Sequence, residues 1–416
     1  MGGCCTLSRI LASVAVRRLL SSTGFALGVC GLALAAAVVF YQACAVYNPS
    51  LLLPEAGASD AGSDSACDHA YYPDRPAQDG PSQLNVEVVL AVQSIDFGLA
   101  PDAGMALAPY GFDLDHVCTC PGPPSCAQAD GATETCDDQR GRDHAALELF
   151  RELGPLAPSG NGEVNTGFQA GQYGLLFHLR NYNGLANDKQ VSVAVYASNG
   201  VSGIEDGGTP DPHHDGTDKW TIDPGYLVQG SKLVGMSCEP NQATCTPLYV
   251  DDNAYVANDV LVAKVDFPVS FGTSSFLGGA VMSLRGSVIV GTLSPMPIPG
   301  GGLSYRITEG TIAGRWPTSA LLQTLAAIPD NVTGTAPYLC GNDLGYLLLK
   351  SAVCQIADIT SDLTLDGTGA PCDAVSIGFR FDAEPARLGV VYGVPPAPAG
   401  CMTDGGFPFT DSCFPH

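Results

Sequence analysis

The densest run of metal-binding side chains is Glu205-Asp206-Gly-Gly-Thr-Pro-Asp211-Pro-His213-His214-Asp215-Gly-Thr-Asp218-Lys-Trp220, with seven carboxylate or imidazole groups in fourteen residues. Asp206, Asp211, His213, His214, Asp215 and Asp218 are the candidate ligands. Oxygen donors on a loop suit Ca²⁺, whereas the paired histidines suit a transition metal. The plainer reading is a solvated acidic loop leading into a strand around Trp220. A second run, Asp362-Leu-Thr-Leu-Asp366-Gly367 with Asp373 at the twelfth position, has the spacing of a degenerate EF-hand loop. Pro371 and Cys372 stand where its exit helix would begin, which argues against that fold.

For catalysis the sequence supplies no motif. It has no G-x-S-x-G elbow, no H-E-x-x-H pair and no phosphate-binding G-x-x-x-x-G-K-[ST]. The strand-borne acids Glu87, Asp96, Asp266 and Asp382 are too scattered to form the facing pair of a glycosidase. His116, His144 and His178 stand without a neighbouring nucleophile and read as structural. No catalytic residue is assigned.

Sixteen cysteines carry the strongest chemical signal. Cys4, Cys5 and Cys30 fall in or before an apolar segment that ends at Ala43-Cys44, after Arg9, Arg17 and Arg18. A basic start, an apolar middle and a small residue before a cysteine are the parts of an export signal. Cleavage there would leave Cys44 as a lipidation site, although Tyr41 replaces the usual aliphatic residue three positions earlier. The alternative is a retained anchor, since residues 24–46 as a helix would run about 34 Å, enough to cross a bilayer. Twelve cysteines follow: Cys67, Cys118, Cys120, Cys126, Cys136, Cys238, Cys245, Cys340, Cys354, Cys372, Cys401 and Cys413. An even number beyond an export signal implies a disulfide framework. The one-residue gap in Cys118-Thr-Cys120 is awkward for zinc. Cys238 with Cys245, Cys340 with Cys354, and Cys401 with Cys413 are the local pairings expected.

The charge balance narrows the partners. Against 42 acidic residues stand 18 basic ones, a formal net charge of -24, so a nucleic-acid partner is not expected. The remaining expectations are a membrane partner through the N-terminal anchor and an unknown surface ligand. No cofactor is expected other than Ca²⁺.

Positioning falls to strands. Leu84, Val86, Val88, Leu90 and Val92 alternate with Asn85, Glu87, Val89, Ala91 and Gln93. Similar runs occupy 175–180 and 191–196, joined by a long loop over 181–190. Others lie at 260–267, 280–284, 287–293, 303–307, 311–315 and 375–381, with Thr308-Glu-Gly310 as a hairpin turn. Three helices are expected, over 144–153, 319–328 and 344–357. The fold expected is mainly β, a disulfide-stapled β-sandwich of jelly-roll or lectin-like type decorated with these helices. Residues 1–43 form the signal or anchor, 44–82 a low-complexity tether, and 83–416 the folded domain, with room for a Cys-rich C-terminal subdomain from about 330.

The Ala-rich leader ending at Cys44, the Asp/Gly/Ser tether, the Cys118-Thr-Cys-Pro cluster and the segments Gly174–Gly184 and Gly310–Pro317 resemble uncharacterised exported, lipoprotein-like proteins of myxobacteria. That resemblance implies export to the bacterial cell envelope and brings no activity with it. The expected function is therefore an extracytoplasmic, membrane-tethered binding or structural protein, its ligand a carbohydrate or an envelope partner. A secreted hydrolase assembled from distant carboxylates and a calcium-stabilised envelope module are the alternatives.

Overall fold

The computed structural model describes residues 69–80, 84–98, 109–120, 122–129, 132, 135–138, 140–153, 160–238, 245–270, 281–326, 344–393, 401 and 410–414. The leader, Cys44, most of the tether, Cys67 and Cys340 lie outside them. Strand residues outnumber helical ones, 42% to 17%, so the mainly-β expectation stands.

The sandwich does not. Strands β1 (Val86–Asp96), β2 (Gly174–Tyr182), β3 (Asn187–Ser198), β5 (Tyr249–Ala257), β6 (Val260–Lys264), β8 (Val281–Pro297), β9 (Leu303–Pro317) and β10 (Ala374–Pro385) pair in that order, each antiparallel to the next. β10 then pairs antiparallel with β1, from Leu90↔Pro385 to Asp96↔Arg380, and the ring closes as an eight-stranded barrel. Sandwich and barrel strands share one alternation, because both bury a single face in a core. The choice between them rests on the β1–β10 pairing, which no local pattern encodes. Strand β7 (Phe267–Ser270) pairs with the start of β8, and β4 (Lys219–Ile222) pairs in parallel with β11 (Arg387–Val391) outside the ring.

The barrel is filled. Val88, Leu90 and Val92 of β1, Phe177 of β2, and Ile377, Phe379 and Phe381 of β10 are buried in one apolar core. Phe177 meets Phe381 with ring centroids 5.3 Å apart. Eight strands leave about enough interior for side chains. An apolar interior is also the inverse of the polar lumen of a membrane-spanning barrel. Helices α1 (Ala146–Leu153), α2 (Gly160–Gln169), α3 (Thr318–Leu325) and α4 (Leu344–Ile356) add Leu149, Phe168, Leu322 and Val353 to the same core. Three of the four match expectation; α2 was not anticipated. Among the described residues no helix is long and apolar enough to cross a membrane.

The outer face is covered as well, so β1 is buried on both sides from Val88 to Val92. Trp220, Ile222, Tyr226 and Leu388 pack on Val89, Ala91 and Leu176 from outside. Gly174 permits this, since a Cβ there would sit 2.9 Å from Trp220 Cζ3. On the far side Tyr72, Phe112 and Leu114 pack against Tyr255, Val262, Val288 and Ala313. Residues 69–80 therefore belong to the folded body, as Ala70 N–H donating to Arg140 O and Gly80 N–H to Asn187 O also show. The C-terminal third is no separate subdomain, because β10 sits between β1 and β9 and residues 64–416 form one compact unit.

Two expected breaks are absent. β8 runs through Gly286 (φ 52°), with a register shift between Arg285 and Val288. β9 runs through Thr308-Glu309-Gly310, where Glu309 (φ 56°) makes an irregularity instead of a hairpin turn. The loop between β2 and β3 is also shorter than expected, since both strands extend toward Asn183.

All ten cysteines among the described residues are disulfide-bonded. Cys238–Cys245 forms as expected. The other local guesses fail: Cys354 bonds Cys413, 59 residues away. The C-terminal segment returns to α4, where Tyr346 Oη donates to Asp411 at 2.9 Å and Lys350 pairs with Asp411 at 2.5 Å. Cys120–Cys136 closes the loop next to Asp137, and Cys126–Cys372 joins that loop to the start of β10 across 246 residues.

Arg315 of β9 has no exposed side-chain surface and donates to Thr360 O, Leu114 O and both oxygens of Asp366. Arg315→Met should lower unfolding stability in urea by about 3–5 kcal/mol, because Asp366 keeps a nearly buried charge without its partner. Adding Asp366→Asn should recover much of the loss; a loss under about 1 kcal/mol in the single variant would contradict the buried pairing.

Asp358 supplies a pH signature. Its carboxylate accepts from Ser376 N–H and Oγ–H at 2.8 and 2.5 Å, while Ser376 Oγ accepts from Ala145 N–H, tying α4, β10 and α1 together. Burial raises its pKa to about 7, against the hydrogen bonds from Ser376 and with added repulsion from Asp115 and Asp137. The folded chain thus keeps a proton that the unfolded chain releases near the ordinary carboxylate range. Its contribution is intact below that range and declines as pH rises toward about 7. Asp358→Asn should flatten this slope in melting scans from pH 4 to 8; an unchanged slope would rule the residue out as its source.

Candidate functional site

With the barrel interior filled, the places for a ligand lie outside. An open cleft of about 620 Å³ runs between the 71–75 segment and the outer faces of β5 and β6. Tyr71, Tyr72 and Tyr255 are its aromatic lining, and Asp74, Arg75, His116, Asp251, Asn253 and Lys264 supply polar groups. Tyr255 is fixed by donating from Oη to Pro73 O at 2.5 Å. The Arg75 guanidinium lies 4.8 Å from its ring centroid while donating to Lys189 O and Asn253 O. Lys264 Nζ lies 4.9 Å from the Tyr72 ring, whose other neighbour is Phe112, edge-on at 5.5 Å. Tyr71 is the most available of the three, 56% exposed, and stacks on His69 at 5.3 Å.

Behind this wall is a cluster of carboxylates. Gly378 starts it: a Cβ there would collide with Tyr110 O, so its absence lets the 110–116 segment cross directly over β10. Asp113, Asp115 and Asp143 are all buried, and one oxygen of each lies within 4.8 Å of the others. Backbone N–H groups hold them in place. Asp113 accepts from His116 at 2.7 Å, Asp115 from Val117 at 2.9 Å, and Asp143 from Leu114 at 2.5 Å. Half-buried Asp137 accepts from Thr119 at 2.7 Å. The second Asp113 oxygen pairs with His69 Nδ1.

Burial dominates the electrostatics. It pushes Asp143 well above the ordinary carboxylate range, with the charges of Asp115, Asp358 and Asp137 adding to the rise. It raises Asp137 to about 7 against the Thr119 hydrogen bond, and raises Asp115 as well. It lowers neighbouring His144 to about 4, so that imidazole is neutral near pH 7. Ser125 is 1% exposed and stands by the Asp115 carboxyl. Its hydroxyl lies close enough to that carboxylate to favour the charged form, yet makes no hydrogen bond of ordinary geometry.

A second depression of about 420 Å³ is lined by Glu87, Lys219, Ser304 and Arg387. Glu87 is held below the ordinary carboxylate range by its hydrogen bond with His178, 2.6 Å away on β2.

The ligands anticipated in the 205–218 loop do not converge. Asp218 is buried and accepts from the N–H groups of His213 and His214 at 2.6–3.0 Å, which makes it a loop cap. Asp215 accepts from Thr217, and His214 Nε2 lies 3.2 Å from Gln169 O. Asp206 and Asp211 join no ligand cluster among the described residues. The EF-hand-like carboxylates also separate: Asp362 caps a 3-10 turn at Thr364, Asp366 pairs with Arg315, and Asp373 accepts from Ser361. The sequence reading missed Asp113, Asp115, Asp137 and Asp143. The available signal was a D-x-D pair and two further acids flanking the Cys118–Cys136 cluster. The tyrosines of the cleft, 184 positions apart at the extremes, carried no such signal. No family model, curated protein or solved structure matches the chain.

Proposed function

We propose that this chain is an extracytoplasmic, membrane-tethered binding protein of a cell envelope, and that its ligand is a carbohydrate held in the tyrosine cleft. The observation that carries the reading is the cleft itself, about 620 Å³ with three tyrosines among its walls and carboxylate, amide, ammonium and imidazole groups beside them. The exposed Tyr71 ring offers flat apolar area to the C–H face of a sugar, and the convergent polar groups suit its hydroxyls. Support for the location comes from the basic-then-apolar leader ending at Cys44 and from the bonded state of the described cysteines. A tether of acidic and small residues would hold the barrel away from an anionic surface.

A glycan array probed with the folded, full-length protein should identify one class of polysaccharide. Tyr71→Ala should weaken that binding about tenfold or more while leaving the melting temperature within about 1 °C, because the ring is exposed. An array that stays blank with folded protein sinks the carbohydrate reading, and cleavage of the bound glycan would identify a hydrolase instead. Intact mass of membrane-extracted protein tests the tether: an acylated Cys44 or a retained leader is expected, and soluble cytosolic protein with free thiols contradicts it.

A further inference from the structure

We infer that Asp113, Asp115 and Asp143 form a binding site for a hard divalent cation of the calcium class, with the Ser125 hydroxyl as a further ligand. Geometry fits first. Three carboxylate oxygens within 4.8 Å of one another need to close by no more than a few tenths of an ångström to touch one ion at about 2.3–2.6 Å, the calcium–oxygen range. The donors are all oxygen, and no cysteine or imidazole belongs to the trio. Each carboxylate is fixed by a backbone N–H on one oxygen, so the positions are preorganised.

Charge points the same way. The neighbouring cation Arg315 is already matched by the bidentate Asp366, and its bond toward this segment goes to the carbonyl of Leu114. His69 contacts Asp113 alone among the three. Asp137 and Asp358 add negative charge from the other sides. Buried carboxylates so placed need protons or a cation.

Ser125 favours the cation. In a proton-sharing network a buried serine hydroxyl beside a carboxylate would donate to it. Here the hydroxyl is 1% exposed and stands against the Asp115 carboxylate, favouring its charged form, yet it forms no hydrogen bond of ordinary geometry. A buried hydroxyl oxygen beside the trio, without a well-formed hydrogen bond of its own, is available as a further ligand. The loop that carries it is stapled on both sides, by Cys120–Cys136 and Cys126–Cys372.

The site also backs the cleft. Asp113 accepts from His116 N–H and pairs with His69, and Tyr71 stacks on His69 and tilts against His116 at 5.6 Å. A bound ion would fix this wall, a consequence that rests on the carbohydrate reading.

The test is a calorimetric titration of the full-length protein, stripped with chelator, using calcium chloride and then magnesium chloride. One saturable calcium site is expected, with a melting temperature raised by about 4–8 °C at about a hundredfold excess over the dissociation constant. Asp115→Asn should weaken calcium binding about 100-fold and Ser125→Ala about tenfold. Should Asp115→Asn fail to fold, native mass spectrometry of wild-type protein prepared without chelator replaces it, and one calcium per chain is expected. Absence of calcium from that material, or no titration heat, overturns the site. Unchanged affinity in both Asp115→Asn and Ser125→Ala places the ion elsewhere and overturns it equally. Calcium binding with a blank glycan array would remove only the ligand assignment.

Discussion

Closure of the ring by β1 and β10 is the constraint on which the rest depends. The two strands lie at opposite ends of the folded chain, and Leu90↔Pro385 through Asp96↔Arg380 is the register that joins them. Without it both strands would present open edges, and the inward row of Leu90, Val92, Phe379 and Phe381 would face water. A contact this distant in sequence forms late and carries a large loop-closure cost. Cys126–Cys372, two residues before β10, shortens that loop. Because the closed interior is filled by side chains, recognition has to be built on the outer surface, where connecting segments cross the outward faces of the strands.

Turns and strand ends explain part of the composition. Asp96, Asp115, Asp188, Asp215, Asp223, Asp251 and Asp362 each accept a backbone N–H from two residues further on. A short carboxylate can close this turn and glutamate reaches it poorly, so a chain laid over a barrel in irregular loops accumulates aspartate. Part of the acidity, these seven of 42 acidic residues, is thus the hydrogen-bonding side of turn geometry. The Asp113–Asp115–Asp143 group differs because its side chains are buried together, so the capping role alone leaves their mutual repulsion unanswered.

The strands were legible wherever period-2 alternation was clean, as in β1, β2, β3 and β10. What failed was long-range or locally contradictory. The three glycines of Gly160-Asn-Gly-Glu-Val-Asn-Thr-Gly-Phe-Gln hid α2, which is held by Asn161 and Asn165 hydrogen-bonding to the end of β1 and by Val164 and Phe168 in the core. Asp251-Asp-Asn253 hid β5, whose pairing with β3 overrides a poor strand propensity. Gly286 and Thr308-Glu309-Gly310 read as breaks, although the barrel uses Gly286 and Glu309 as irregularities within a strand. At the candidate sites, local density misled. Seven ligand-type side chains in the 205–218 loop point to separate tasks, whereas Asp113 and Asp143 meet only because the chain crosses β10 at Gly378 and Asp143 caps Leu114.

The cations of the cleft bear on what it would hold. In a chain of net charge -24, two basic side chains in one depression could mark a site for an anion. Their geometry argues otherwise. Arg75 already spends its guanidinium on two backbone carbonyls and on the Tyr255 ring, and Lys264 lies over Tyr72. Neither presents the open fork that grips a carboxylate or phosphate. Their work is to hold aromatic faces in place, and Asp74 and Asp251 on the same lining offset their charge. A neutral, polyhydroxylated ligand asks for that combination of flat apolar area and spread-out hydrogen-bonding groups, and an anionic one would meet more carboxylates than unengaged cations.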